Sequence, residues 1–454
     1  MKSEKVKKKQ GALFIFVALL ITAHLLLLSD AFGLDVKRTT LPNGLLVLHV
    51  ERHNLPIVMA TLLVKASPLH ETPDKAGLAN LTAELLTEGT KKRTSNEISE
   101  EIEFIGASLG MSTDDDFTTI TLSVLKKDVE KGFELLSDVL LNPTFPEEEI
   151  KRSKEVLKGS LRQSEEDPSF LASRAFKKAV FGDLPYGRLV RGSIETVDAI
   201  RKGDIEKFYG LFYRPNNAIL AVVGDISDAE LTGLIDRFLS EWKPAEIPQG
   251  VTVQKGKHEK KTVLIDRDLT QANILLGHEG ISRNNPDYYA VSVMNYILGG
   301  GGFSSRLMET VRDELGLAYD IHSLFQPDKY AGLFEVGVQT KNASANMVIS
   351  EALKQIGRIR SEPVSDQELD DAKAYMTGSF PRRLETNRKI ADFVAGVEFY
   401  GLGDDYVEKY PRYIKAVTKD DVLRAARKYL DPENYVLVVV AKQSEAKVEA
   451  QGPK

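Results

Sequence analysis

The chain has 454 residues and a formal net charge of −6, from 60 lysines and arginines against 66 aspartates and glutamates. That length suits two or three domains, and the 42% hydrophobic content suits a globular protein with real cores. No basic half or stripe marks a nucleic-acid partner, and with no cysteine there is no disulfide, thiolate metal site or cysteine nucleophile.

The chain opens on a targeting signal. "MKSEKVKKKQ" is lysine-rich, and "GALFIFVALLITAHLLLL" is a nearly unbroken apolar run. Ala31 and Gly33 in "SDAFG" offer small residues for cleavage before Leu34. Residues 1–33 are therefore expected to be a signal peptide, with a periplasmic or otherwise exported body. An uncleaved membrane anchor is the alternative, because the run is just long enough to span a bilayer. Without the leader the body is more acidic, so a membrane partner is expected only if the leader is retained.

"KAGLANLTAELLTEGTKKRT" (75–94) has the periodicity of an amphipathic helix, with Leu78, Leu81 and Leu85 on one stripe and Gly89 as the stop. "TSNEISEEIEFIGA" opens on a capping-box pattern, Thr94 to Glu97, and spaces Ile98, Ile102 and Ile105 as a helix would. "FTTITLSVL" (117–125) alternates, placing Ile120, Leu122 and Val124 on the buried face of a strand. His49 and His53 have ligand-like spacing in "HVERH", but that stretch reads as a strand and turn carrying exposed histidines.

The chain repeats itself. "GDIEKFYGLFYRPNNAILAVVGD" (203–225) matches "DDVLRAARKYLDPENYVLVVVAK" (420–442), pairing Asp204 with Asp421, Pro215 with Pro432 and Asn217 with Asn434. Upstream, Gly159-Ser160 falls on Gly378-Ser379 in the same order. Two homologous halves follow, 35–245 and 261–445, joined by a Pro/Gly/Lys-rich linker at 246–260 and followed by a polar tail at 446–454. Strands and helices do not alternate strictly. An α+β fold with helices layered on a sheet is expected, not a doubly wound one.

In "ILGGGGFSSRLMETVRDELGLAY" (297–319) no Gly-Lys-Ser/Thr follows the glycines, and no G-x-G-x-x-G sits between strand and helix. The stretch reads as a flexible turn, Gly299, Gly300, Gly301 and Gly302, before an amphipathic helix with Leu307, Val311 and Leu315 inside.

The frame Gly77-Leu78-Ala79 … Gly89-Thr90, the duplication, and "RDELGLAY" together resemble the M16 family (pitrilysin/insulinase, mitochondrial processing peptidase-like) over nearly all of residues 35–445. Active members carry an inverted zinc motif, H-x-x-E-H, inside that frame. Two histidines four apart on a helix face the same way and both ligate zinc, while the glutamate takes a proton from zinc-bound water. On this sequence the first histidine falls on Asn80, the glutamate base on Ala83, the second histidine on Glu84 and the third ligand on Ser160. The resemblance thus implies a degenerate zinc site, with no metal or cofactor in this chain.

The family also carries an arginine and a tyrosine in the second half that bind the substrate backbone, and these match Arg312 and Tyr319. The resemblance implies mostly antiparallel sheets in both halves. It further implies a chain not active alone, the substrate-binding subunit of a zinc peptidase. Its partner would be a zinc-bearing homologue in a heterodimer or larger assembly, or a second copy in a homodimer, acting on peptides. A peptide-binding scaffold without proteolysis and a peptidase with an unrecognised metal site are the alternatives.

Overall fold

The computed structural model describes residues 34–248 and 259–448. The expected targeting segment (1–33), most of the expected linker and the last six residues lie outside them. Lys37–Thr40 (β1), Leu46–Glu51 (β2), Ile57–Val64 (β3), Ser108–Thr113 (β4), Thr118–Leu125 (β5) and Ala218–Gly224 (β6) build a six-stranded sheet in the order β1-β2-β6-β3-β5-β4. Lys261–Asp266 (β7), Gln271–Glu279 (β8), Ala318–Pro327 (β9), Gly332–Lys341 (β10) and Val436–Ala441 (β11) build a five-stranded one, β7-β11-β8-β10-β9. With β1 set aside the two orders coincide. Each sheet is antiparallel but for one pair, β2 with β6 and β7 with β11. The internal repeat is thus a repeat of topology, in an α+β fold of two helix-layered sheets.

The local expectations hold where periodicity was strong. Ile120, Leu122 and Val124 are buried in β5, as alternation on a half-buried strand requires. Thr94 and Glu97 form the reciprocal capping box of the Ser95–Phe104 helix. The repeated segments become matching units, the Lys202–Phe212 helix with β6 and the Lys419–Tyr429 helix with β11. Asp204 and Asp421 each close a capping box at the third position of their helix.

Three expectations are corrected. Helix 75–94 is shorter: Leu78–Glu84 is helical, a tight turn carries on to Thr87, and the chain has left the helix before Gly89. His49 is buried, not exposed, because its ring bridges Asp228 Oδ1 at 2.5 Å and the Ile226 carbonyl at 3.0 Å. His53 is exposed as expected, between Asp225 and Glu51. The second half runs past 445: Ala446 and Val448 are buried in its core.

The halves exchange helices. Pro168–Phe181, from the first half, lays Leu171, Phe176 and Phe181 into a cluster with Val436, Val438 and Val440 of β11. Asn387–Tyr400, from the second half, lays Ile390, Val394 and Phe399 into a cluster with Val50, Met59 and Val223 of the first sheet. A β-sheet with one face on its own core must cover the other, and here each half covers its sister. A polar clasp closes the seam. Asp116 accepts from Tyr186 Oη at 2.7 Å, and across the seam from the Lys329 amide at 2.8 Å and Tyr400 Oη at 3.2 Å.

Candidate functional site

The Leu78–Glu84 helix starts at Gly77, whose φ of 98° suits glycine. A Cβ there would stand 2.8 Å from the Arg191 carbonyl, so the loop bearing Arg191 lies directly against the helix start. Glu71 reaches over from the preceding turn and accepts from the Gly77 and Ala79 amides at 3.1 and 2.6 Å, satisfying donors that no turn of helix serves. Burial pushes the Glu71 carboxyl up to about 7, against those hydrogen bonds and the nearby Arg188 charge. The leucine stripe points inward, with Leu78, Leu81 and Leu85 in the first core.

The four positions matched to zinc chemistry hold other contacts. Asn80 is buried and donates from Nδ2 to Glu84 Oε1 at 3.0 Å. Ala83 is buried and offers no polar atom. Ser160, on the Glu147–Ser164 helix, accepts at Oγ from Arg191 Nη2 at 2.9 Å. Protein crowding around Glu84 pushes its carboxyl above the usual range, opposed by the Asn80 hydrogen bond and the Arg191 charge. One carboxylate, one amide already turned donor-first to it, one hydroxyl and a guanidinium do not make a zinc site, which needs three ligands of imidazole or carboxylate kind. Among the described residues no group of three or more histidines, aspartates and glutamates is placed to hold a metal ion.

In the second half the glycines form a packed corner, not a loose turn. Tyr296–Gly300 continues the Tyr288–Asn295 helix as a wide turn, and a Cβ at Gly299 would stand 2.5 Å from the Ser323 amide of β9. At Gly302 φ is 58°, and the chain turns there towards the next helix. Met308–Glu314 is itself a wide helix, in which the Leu315 amide donates to the Thr310 carbonyl. That extra residue per turn rotates Leu315 outward. Leu307 and Val311 are fully buried, while Leu315, expected inside, is 44% exposed.

The same wide helix and β9 bring Arg312 and Tyr319 together at the surface. The guanidinium lies 5.5 Å from the Tyr319 ring centroid and 4.7 Å from that of Phe303, and it pairs with Asp313 at 2.8 Å. Tyr319 is 84% exposed and Phe303 is 68% exposed, so the trio faces solvent. Tyr319 also stands on the wall of a cleft of about 660 Å³ between the halves. Phe170 at the start of the Pro168 helix forms the opposite wall, with Asn273, His322 and Gln339 of the second sheet also lining it.

Sequence reasoning missed three residues here: Arg191, Phe303 and Glu71. Phe303 left a trace, an aromatic inside a glycine-rich turn where no core calls for one. Arg191 and Glu71 left none, because their partners lie 31 and 8 residues away.

Comparison with known proteins gives the family and the fold. The family described as "Insulinase (Peptidase family M16)" matches residues 46–193, and "Peptidase M16 inactive domain" matches 199–376. A Rickettsia bellii protein named an uncharacterized zinc protease is 28% identical over 345 residues, covering 76% of this chain and 83% of its own. A Helicobacter pylori protein named non-peptidase homolog YmxG is 29% identical over 344 residues, covering 75% and 78%. The crystal structure of an M16 inactive domain from Pseudomonas fluorescens is 27% identical with a TM-score of 0.84, covering 92% of this chain and 100% of that one. A Helicobacter pylori protease structure shares the fold at 21% identity with a TM-score of 0.83, covering 90% and 100%. With both family models matched in order across its two halves, the chain belongs to the M16 peptidase family, as a homologue without the inverted zinc motif.

Proposed function

We propose that this chain is the non-catalytic, substrate-binding subunit of an exported zinc peptidase, acting with an M16 homologue that supplies the H-x-x-E-H motif. The observation that carries the reading is a division. The first half holds Asn80, Ala83, Glu84 and Ser160 where metal chemistry would sit, while the second presents Arg312 and Tyr319 side by side to solvent. A guanidinium forks onto peptide carbonyls, and a phenol donates to charge developing on a scissile carbonyl. Neither role needs a metal in this chain. Export rests on the lysine-rich start and apolar run of residues 1–33.

The test is co-purification from the native host, followed by peptide cleavage by the recovered complex. A zinc-bearing homologue recovered with this chain, and activity lost on Tyr319→Phe, support the reading. Recovery alone or as a homodimer, with peptides bound and none cleaved, favours the scaffold reading. An N-terminus at Leu34 in the exported protein would support signal cleavage; full-length protein confined to membranes would mean an anchor.

A further inference from the structure

We propose that a cavity of about 360 Å³ in the first half is a binding site for a small carboxylate with a short apolar body, read by the Arg188 guanidinium. Three elements line it. Pro73 and Ala76 come from the turn before the Leu78–Glu84 helix, Arg174 and Lys178 from one face of the Pro168–Phe181 helix, and Arg188 and Leu189 from the loop after Tyr186. That loop is seated without any ligand: at Gly192, also on the lining, a Cβ would stand 2.1 Å from the Ala76 carbonyl. The site is therefore formed before anything binds.

Arg188 carries the assignment. Its Nη1 donates to the Glu71 carbonyl at 3.0 Å, its Nε is shielded from solvent and meets no acceptor, and no carboxylate pairs with it among the described residues. Five N–H donors thus serve one neutral acceptor. The Glu71 carboxyl is turned away, to the Gly77 and Ala79 amides. The other two cations are already held, Arg174 by Glu165 and Lys178 by Asp183. Asp183 is the one carboxylate on the lining, against three cations, so the cavity favours an anion. A half-buried guanidinium without a counter-charge is best met by a planar oxyanion that accepts two N–H groups at once. One unpaired guanidinium balances a single charge. The Pro73, Ala76 and Leu189 side chains offer no donors to further oxygens, which favours a carboxylate, with its aliphatic part against those walls, over phosphate. The volume suits a small ligand, at the lower end of the range of about 300–1,000 Å³ for ligand cavities. A peptide's C-terminal residue and a free carboxylic acid share this chemistry.

The test is titration calorimetry on the full chain with four probes: N-acetyl-alanyl-leucine, its C-terminal amide, isocaproate and inorganic phosphate. The acetylated dipeptide should bind one per chain, and its amide about tenfold more weakly, as expected when a charge-assisted pair is lost. Isocaproate binding as tightly as the dipeptide assigns the site to free carboxylic acids; binding about tenfold weaker assigns it to peptide C-termini. No binding of either carboxylate, equal binding of dipeptide and amide, or phosphate binding tighter than both carboxylates overturns the proposal. Arg188→Leu should abolish carboxylate binding, with folding checked by Tm. Ala175→Leu decides separately, because it fills the cavity from the Pro168–Phe181 helix and leaves Arg188 and its bond to Glu71 in place. It should also abolish binding, and wild-type affinity in either folded variant overturns the proposal.

Discussion

The guanidinium of Arg312 lies 4.7 Å over the ring of Phe303, on a surface where both could have turned to solvent. With Tyr319 at 5.5 Å, the guanidinium lies near two rings while its Nη1 donates to Asp313 at 2.8 Å. If the pair binds peptide backbone, Phe303 sets its orientation. Phe303→Leu should weaken binding of an unstructured, dye-labelled peptide about threefold, the scale of an exposed cation–π contact. Phe303→Tyr should restore it. Unchanged affinity in Phe303→Leu would leave the ring without a role in binding.

The two named residues should fail differently. With the zinc-bearing partner present, Tyr319→Phe should lower kcat with little change in KM, because its hydroxyl acts mainly on charge formed in the transition state. One such donor is worth roughly 2.7–4 kcal/mol. Arg312→Ala should instead raise KM, since a carbonyl clamp holds ground and transition states alike. Both side chains are outside the core formed by Leu307 and Val311, so melting temperatures should not move. Wild-type kinetics in both variants would remove the shared site.

The purified chain should hold no stoichiometric zinc and should not cleave unfolded peptides by itself. The reason is chemical: Asn80 already donates to Glu84, and Ala83 cannot carry a proton. Elemental analysis after dialysis against micromolar zinc checks it. One zinc per chain with chelator-sensitive cleavage would overturn the reading.

How much of this was legible in sequence follows from the range of each signal. The alternation of Ile120, Leu122 and Val124 and the Thr94–Glu97 box are local, and both appear as read. The repeat gave the two halves, because a duplicated topology keeps its Pro-Asn turns. The helix exchange was hidden: nothing in "PSFLASRAFKKAVF" says that Phe176 will meet Val438 of the other half. Leu315 was misplaced because periodicity assumes an ordinary helix, and the wide turn at Met308–Glu314 breaks that assumption. His49 was misplaced for a related reason. Its partner Asp228 begins a helix 179 residues away, and that pairing together with the Ile226 carbonyl makes burial tolerable.

The clasp between the halves should be strongly coupled to folding. Asp116 serves three donors on three elements, two of them across the seam. Asp116→Ala should destabilise the chain by about 3 kcal/mol or more, because buried donors are left unpaired. Tyr400→Phe removes one long bond and should cost only about 1 kcal/mol. Chemical denaturation of both variants measures the difference. Equal, small effects would mean that the apolar helix exchange alone holds the seam.

The same seam makes stability depend on pH, and the sign can be worked out. Burial beside Asp116 and Asp115 pushes the Asp328 carboxyl up to about 8, with Lys177 opposing, and burial pushes Glu71 to about 7. For an acid raised on folding, the native state holds a proton that the unfolded chain has released, so stability falls as pH climbs from about 4 towards 8. Asp287, paired with Arg424, Lys428 and Tyr429, and Glu368, paired with Arg306, are instead held down to about 2. Their contribution is complete above the unfolded value near 4 and is lost as pH falls through 2. Melting temperature should therefore peak at roughly pH 4, falling on both sides. Asp328→Asn removes one charge that the seam resists, so its melting temperature at pH 8 should exceed the wild type's, with the gap closing by about pH 4. A variant that tracks the wild type across that range would show that Asp328 ionises in the folded chain as freely as in the unfolded one, and the alkaline limb would then belong to Glu71 and to Asp114, whose carboxyl burial also pushes up to about 7.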